Sequence, residues 1–279
     1  MSARELPMSK LENKVVLITG ASSGFGEDAA LMFAAEGCRV VLVARRIDRL
    51  QILAAKIQDA GGEAIAIPAD IVDAAEVQNM VQSTLDLYGQ IDILFNNAGI
   101  GRVEWFENHT PERDINTLIQ VNLIALMQVT REALPHMLAR GEGHIINMVS
   151  VAGLMAPPLI TSYSASKFGA RAFTDALRRE VTPLGIKVSG IYPGPATTEF
   201  GSHVGKNATY NSISSRVRVH MTSKYVARRV VDVAKRPRRS LVIPWWFHII
   251  FVFDTLFPII MDWIYFYFVK KYHKLDEEN

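Results

Sequence analysis

The chain carries one cysteine, Cys38, in 279 residues, which excludes an internal disulfide and any cysteine-built zinc site. Cys38 falls where a helix should hand over to a strand and reads as a buried, unreactive thiol. The seven histidines are scattered, with no H-E-x-x-H or comparable spacing, so no metal site is expected. Net charge is nearly absent, at +2, and no nucleic-acid partner is expected. The first residues, MSARELPMSKLENK, lack the apolar run of a signal peptide. A cytoplasmic location, or the cytoplasmic face of a membrane, follows as the expectation. What is present is a globular composition, 49% hydrophobic and 21% charged, in a chain long enough for one large α/β core.

Residues 15–26 read VVLITGASSGFG. Val15, Val16, Leu17, Ile18 and Thr19 have the composition of a buried parallel strand, and the apolar spacing over 29–35 is that of a helix. A glycine-rich turn between the two leaves backbone N–H groups free at a helix N-terminus, where a pyrophosphate is stabilised. Gly20 permits the tight turn, Gly24 lets the backbone approach phosphate, and Gly26 lets helix and strand lie close; Ser22, Ser23 and Phe25 complete the turn. The same residues satisfy G-x-S-x-G, the nucleophile elbow of serine hydrolases, with Ser22 as nucleophile. That elbow ordinarily follows several strands, and this one follows the first.

Further strands are predicted over 39–44, 63–68, 91–95, 144–149, 187–192 and 241–243, with helices over 47–60, 74–88, 111–139, the stretch around 163–181, and 222–235. The alternation predicts an α/β fold, a doubly wound (Rossmann) parallel sheet of about seven strands with helices on both faces and a crevice at the strands' carboxyl ends. Strand 39–44 ends in Ala44, where an NAD site would place a carboxylate for the ribose 2′-OH, and Arg45 and Arg46 follow. A guanidinium suits a 2′-phosphate, so NADP(H) is favoured over NAD(H). The plain alternative is a solvated basic helix face that includes Arg49. Asp70, with Ile71 after it, closes the third strand, where a carboxylate can accept from the adenine amino group.

Tyr163 and Lys167 are four residues apart in a helical pattern and share one face. An ammonium beside a phenol favours phenolate and lowers the tyrosine pKa from its ordinary value near 10. Such a phenol gives a proton to a carbonyl oxygen or takes one from an alcohol. Ser150, at the carboxyl end of the fifth strand, can hydrogen-bond a substrate oxygen as charge develops on it. Asn122 lies inside the helix predicted over 111–139, where an asparagine is unfavourable unless its side chain has a partner.

Together these motifs resemble the short-chain dehydrogenase/reductase family over roughly residues 12–200. TGASSGFG at 19–26 is similar to its cofactor turn, and Asn96, Asn97, Ala98 and Gly99 to the NNAG that closes its adenine pocket. Asn122 and Ser150 match its catalytic asparagine and serine, Tyr163 and Lys167 its Y-x-x-x-K, and Pro193, Gly194 and Thr198 its nicotinamide-side P-G-x-x-x-T. The sequence departs at Phe25, where isoleucine or leucine is usual, and at Ala196, where valine is usual. The resemblance implies a homo-oligomeric oxidoreductase acting on an alcohol and its ketone or aldehyde. Tyr163 would be the general acid/base, Ser150 would polarise the oxygen, and Lys167 would hold the nicotinamide ribose. Asn122 would hold a water that relays protons through Lys167, and the backbone near Ala196 with the Thr198 hydroxyl would bond the carboxamide. A catalytically silent NADP-binding sensor or scaffold is the alternative, and it leaves Tyr163 without a task.

Residues 201–220 are polar and serine-rich, a substrate lid or a plain surface loop. Residues 1–242 are expected to form the catalytic domain and 243–279 an apolar, aromatic, helical tail. Between 243 and 268 there is no lysine, arginine or glutamate, but Asp254, Asp262, His248 and Pro258 oppose a single spanning helix. Split at Pro258, the segment gives two helices of about 13 residues, too short to cross a bilayer and suited to lying in its interface. Basic residues flank it: Arg228, Arg229, Lys235, Arg236, Arg238 and Arg239 before, Lys270, Lys271 and Lys274 after. Peripheral membrane contact is expected, and with it a lipophilic substrate; a subunit interface or a cover for the pocket is the alternative.

Overall fold

Alternating side chains build the centre of the molecule: Val16 and Ile18 enter one apolar core, Val15 and Leu17 the other, on opposite faces of the first strand. The structure, a computed structural model, describes residues 10–197, 199 and 221–277. Its strands are β1 (Val15–Thr19), β2 (Arg39–Ala44), β3 (Glu63–Pro68), β4 (Ile93–Asn96), β5 (Gly143–Met148), β6 (Ile186–Pro193), the short β7 (Ala196–Thr197) and β8 (Met221–Thr222), and β9 (Ser240–Ile243). Seven of them form one parallel sheet in the order β3-β2-β1-β4-β5-β6-β9, while β7 and β8 pair separately. The helices are α1 (Gly24–Ala35), α2 (Ile47–Asp59), α3 (Ala74–Tyr88), α4 (Ala125–Arg140), α5 (Thr161–Val181), α6 (Ser223–Lys235), α7 (Phe247–Leu256) and α8 (Pro258–Glu277). Residues of α1, α2 and α6 cover one face of the sheet, and residues of α3, α4 and α5 the other. Strand order reverses between β1 and β4, which opens a crevice at their carboxyl ends.

The expected helix over 111–139 is broken. Two π-helical turns, Pro111–Asn116 and Gln120–Ile124, flank three α-helical residues before α4 begins. Strand β4 starts at Ile93 rather than 91, because Asp92 is used as a joint. Its carboxylate accepts from the Val15 N–H (2.8 Å) and pairs with Lys14 (3.2 Å) and Arg140 (2.8 Å). Cys38 is buried, its Sγ 3.3 Å from the Leu11 carbonyl, and burial pushes its thiol up to about 12.

Ile243 closes β9, the edge strand expected over 241–243. The tail helices α7 and α8 are bent by 109° at Pro258. They hold 10 and 20 residues, so the second is longer than expected, because its polar end, KKYHKLDE, continues the helix. Among the described residues no single helix is long and apolar enough to cross a membrane; the bent pair reaches that length and composition only when its two helices are taken together. The basic flank is divided. Arg236, Arg238 and Arg239 precede β9, so that strand's length of about 13 Å separates them from the tail. Thr198 and the lid expected over 201–220 lie outside the described residues.

Candidate active site

The glycine turn is held from beneath. Asn97 donates from Nδ2 to the carbonyls of Thr19 (3.1 Å) and Gly20 (3.2 Å), and the Thr19 hydroxyl accepts from the N–H groups of Asn97 (3.1 Å) and Ala98 (3.2 Å). Gly20 and Gly24 have φ of 66° and 59°, conformations open to glycine. A Cβ on Gly26 would collide with the Gly20 carbonyl and Asn97 Nδ2, so the helix start is bare backbone. Ser23, at the N-cap of α1, makes no side-chain cap bond to its own helix. A bare, uncapped helix N-terminus after two left-handed glycines fits a pyrophosphate. Phe25 packs against the core.

Arg45 and Arg46 separate in role. Arg45 is 76% exposed and, among the described residues, pairs with Asp70 at 3.8 Å. Arg46 turns inward, donating from Nη2 to the hydroxyls of Ser22 (2.9 Å) and Ser23 (3.0 Å) and from Nε to Ser22 (3.2 Å). This seat of Arg46 on the phosphate turn, with Arg45 on its rim, separates two arginines that the sequence offers together. It also removes the hydrolase reading, because the partner of Ser22 is a guanidinium, which cannot act as a base. Asp70 spends one oxygen on the Val72 N–H (3.1 Å), and with Arg45, Pro68, Ala69 and Glu76 it lines a cleft of about 440 Å³. Ile71 is buried in the core, so only its backbone can face that cleft.

Across the crevice, Lys167 and Asn122 meet under Gly99. A Cβ on Gly99 would lie 3.0 Å from Asn122 Oδ1 and 3.5 Å from Lys167 Nζ. Asn122 does not sit in a regular helix, and both hydrogens of its amide are engaged. Its Oδ1 accepts from the Ile100 N–H (2.9 Å), and its Nδ2 donates to the Ile100 carbonyl (2.8 Å) and Ser166 Oγ (3.0 Å). These bonds use both amide hydrogens and one lone pair of Oδ1, which leaves the second lone pair for a water. Lys167 Nζ stands 5.8 Å from the Tyr163 ring centroid and donates to the Met148 carbonyl (3.1 Å). Tyr163 itself is half-buried and Lys167 buried; burial pulls the lysine pKa down to about 8. Ser150 is buried two residues beyond β5, its Oγ accepting from the Ala152 N–H (3.1 Å) and lying 3.5 Å from the Pro193 carbonyl. Gly194 continues β6 by donating to the Ile243 carbonyl (2.7 Å), and Ala196 sits in β7 opposite Met221. A phenol, a hydroxyl and a buried amine at one rim, beside a phosphate turn, make a constellation for moving a proton at an oxygen next to a bound dinucleotide.

A family model described as short chain dehydrogenase matches residues 14–209. The chain belongs to that family. It is 31% identical over 278 residues to the 11-beta-hydroxysteroid dehydrogenase-like 2 of Arabidopsis thaliana, covering 98% of this chain and 88% of the relative. The solved 3-ketoacyl-(acyl-carrier-protein) reductase from Brucella melitensis, complexed with NADH, superposes with a TM-score of 0.75 at 32% identity, over 84% of this chain and 98% of that one. An actinorhodin polyketide ketoreductase with NADPH gives 0.75 at 28% identity, over 86% and 99%. This short-chain dehydrogenase is accordingly an oxidoreductase with a nicotinamide cofactor, related to hydroxysteroid dehydrogenases and ketoacyl reductases.

Sequence reading missed the polar plate behind the site of this dehydrogenase. Asn96 donates to Thr130 Oγ1 (2.9 Å) and Asn147 Oδ1 (3.0 Å), and Asn147 donates to Thr174 Oγ1 (2.9 Å). These bonds tie β4 and β5 to α4 and α5, just before Asn97 and Ser150. The visible signal was two asparagines in otherwise apolar strands, which are tolerated only with partners. Phe247 was also missed: it lies against Gly194, where a Cβ would meet its ring at 2.5 Å.

Proposed function

We propose that the chain is an NADP(H)-dependent oxidoreductase that interconverts an alcohol and its ketone or aldehyde on a lipophilic substrate, with Tyr163 as general acid/base. The observation that carries this reading is the buried Lys167 ammonium 5.8 Å from the Tyr163 ring, at the rim that Ser150 shares. Gly20, Ser22, Ser23, Gly24, Phe25 and Gly26 would hold the pyrophosphate, Arg46 with Arg45 the 2′-phosphate, and Asp70 and the backbone of Ile71 the adenine side. Asn97 and Ala98 would keep the turn in shape, Gly99 would leave room for the cofactor, and Pro193, Gly194, Ala196 and Thr198 would border the nicotinamide. When bound, the nicotinamide gives or takes the hydride. In reduction Tyr163 donates its phenolic proton to the carbonyl oxygen, and in oxidation the phenolate takes the alcohol proton. The Ser150 hydroxyl donates to the same oxygen as negative charge grows on it. Lys167 favours the phenolate by its charge and would hold the ribose hydroxyls. Asn122 would hold the water that relays protons through Lys167, and its amide positions Ile100 and Ser166.

Exposed aromatic and aliphatic side chains on α7 and α8 support contact of this tail with a lipid surface, and hence a lipophilic substrate. The decisive assay follows NADPH absorbance over a panel of lipophilic ketones and aldehydes with wild type and Tyr163→Phe. Turnover by wild type and a loss of about a hundredfold or more in the variant are expected, with NADPH still bound. Tight NADPH binding without turnover of any compound would favour the sensor.

A further inference from the structure

Glu199 lies two residues beyond β7, on the segment that leaves the nicotinamide-side turn, yet its carboxylate reaches the adenosine side. Oε1 is 2.6 Å from Arg49 Nη1, and Oε2 is 3.2 Å from Arg46 Nη1. The same Arg46 guanidinium holds Ser22 and Ser23 through its other nitrogens. Two guanidiniums and two hydroxyls thus converge beside the phosphate turn, and the anion they gather is a carboxylate of the chain itself. Both arginines hold that carboxyl below the usual range, so it is charged at neutral pH.

We propose that Glu199 is an internal anion in the 2′-phosphate site, so that a cofactor carrying that phosphate binds by displacing the carboxylate from Arg46 and Arg49. The proposal rests on the reading of Arg46 as a 2′-phosphate partner and adds a residue that sets how strongly the phosphate is preferred. A ligand that must first release Glu199 binds with an affinity reduced by the fraction of molecules in which the arginines are free. A ligand without the phosphate leaves the ion pairs in place and bears no such reduction. Glu199 therefore narrows the discrimination between the two nicotinamide dinucleotides.

The test is calorimetric titration of the full chain with adenosine 2′,5′-bisphosphate and with adenosine 5′-phosphate, which needs no turnover. In Glu199→Gln, and in Glu199→Ala as a second variant, the bisphosphate should bind about threefold to tenfold tighter relative to the monophosphate. An unchanged or smaller ratio in both variants overturns the proposal. Weaker binding of the monophosphate in Glu199→Gln overturns it too, because the carboxylate would then be accepting from a ribose hydroxyl. Arg46→Ala tests the underlying reading separately and should reduce the ratio toward one. If Arg46→Ala leaves the ratio unchanged while Glu199→Gln raises it, the 2′-phosphate lies on Arg49 alone: the reading of Arg46 fails and Glu199 still stands as the competitor.

Discussion

At the scale of single residues, the amine that the proposed chemistry calls for is deeply buried. Lys167 is wholly enclosed, and burial lowers its pKa from 10.5 to about 8. Below pH 8 both the folded and the unfolded chain carry the proton, and the full burial penalty is present. Between 8 and 10.5 only the unfolded chain is protonated, so stability rises with pH across that window, and above it the penalty is gone. Lys167→Met should therefore unfold in urea with about 1–3 kcal/mol more stability than wild type at pH 7, the gap closing from pH 8 to 10.5, while turnover is lost. A variant less stable at pH 7 would show that the bond to the Met148 carbonyl outweighs desolvation. The position of this pair was legible in the sequence, since four residues on a helix fix a shared face. The division of labour between Arg45 and Arg46 was not. Adjacent residues look alike in a pattern, and only the seats offered by Ser22 and Ser23 decide which guanidinium turns in.

Elements show the same contrast between what repeats and what does not. Helix α1 begins at Gly24, five residues before the predicted run, since the glycine turn carries no apolar repeat. Most strands and helices lie within two residues of their predicted bounds, because alternation and three-to-four spacing report which face is buried. The segment before α4 carries a helical repeat as well, yet it folds with two π-helical turns. A π-turn inserts one residue into the repeat and leaves the apolar pattern almost intact, so periodicity does not detect it. What fixes the second turn is a side chain: Asn122 bonds both the N–H and the carbonyl of Ile100. Asn122→Ala should leave both groups unpaired in a half-buried place and lower stability to urea by about 1–3 kcal/mol. It should also loosen the NNAG end, read as faster amide exchange at Ile100. A loss under about 0.5 kcal/mol would mean that water replaces the amide and that Asn122 holds nothing in place.

At the scale of the whole molecule, topology puts two demands on one edge. All seven strands of the sheet are parallel, so the crevice lies at their carboxyl ends, and β9 delivers the tail to that same edge. Phe247 against Gly194 and Phe251 under Arg171, 5.1 Å from its guanidinium, seat α7 on the rim that carries Ser150. Beyond those anchors the tail turns its large side chains outward: Leu256 is 66% exposed, Ile259 71% and Trp263 70%. Such a surface on a soluble face is costly, whereas at a lipid interface it is stabilising, and Lys270 and Lys271 stand at its far end for anionic headgroups. Deleting the tail is the wrong experiment, since it also strips Phe247 and Phe251 from the site. Leu256→Glu, Ile259→Lys and Trp263→Glu change only outward positions and should keep the melting temperature. Each should weaken co-sedimentation with phosphatidylserine-containing liposomes by about tenfold. A chain that fails to sediment with liposomes, but changes from dimer to monomer in the same variants, would assign the tail to a second copy instead. The difference matters for catalysis, because only a lipid surface at this edge would bring the substrate to Tyr163 out of the bilayer rather than out of water.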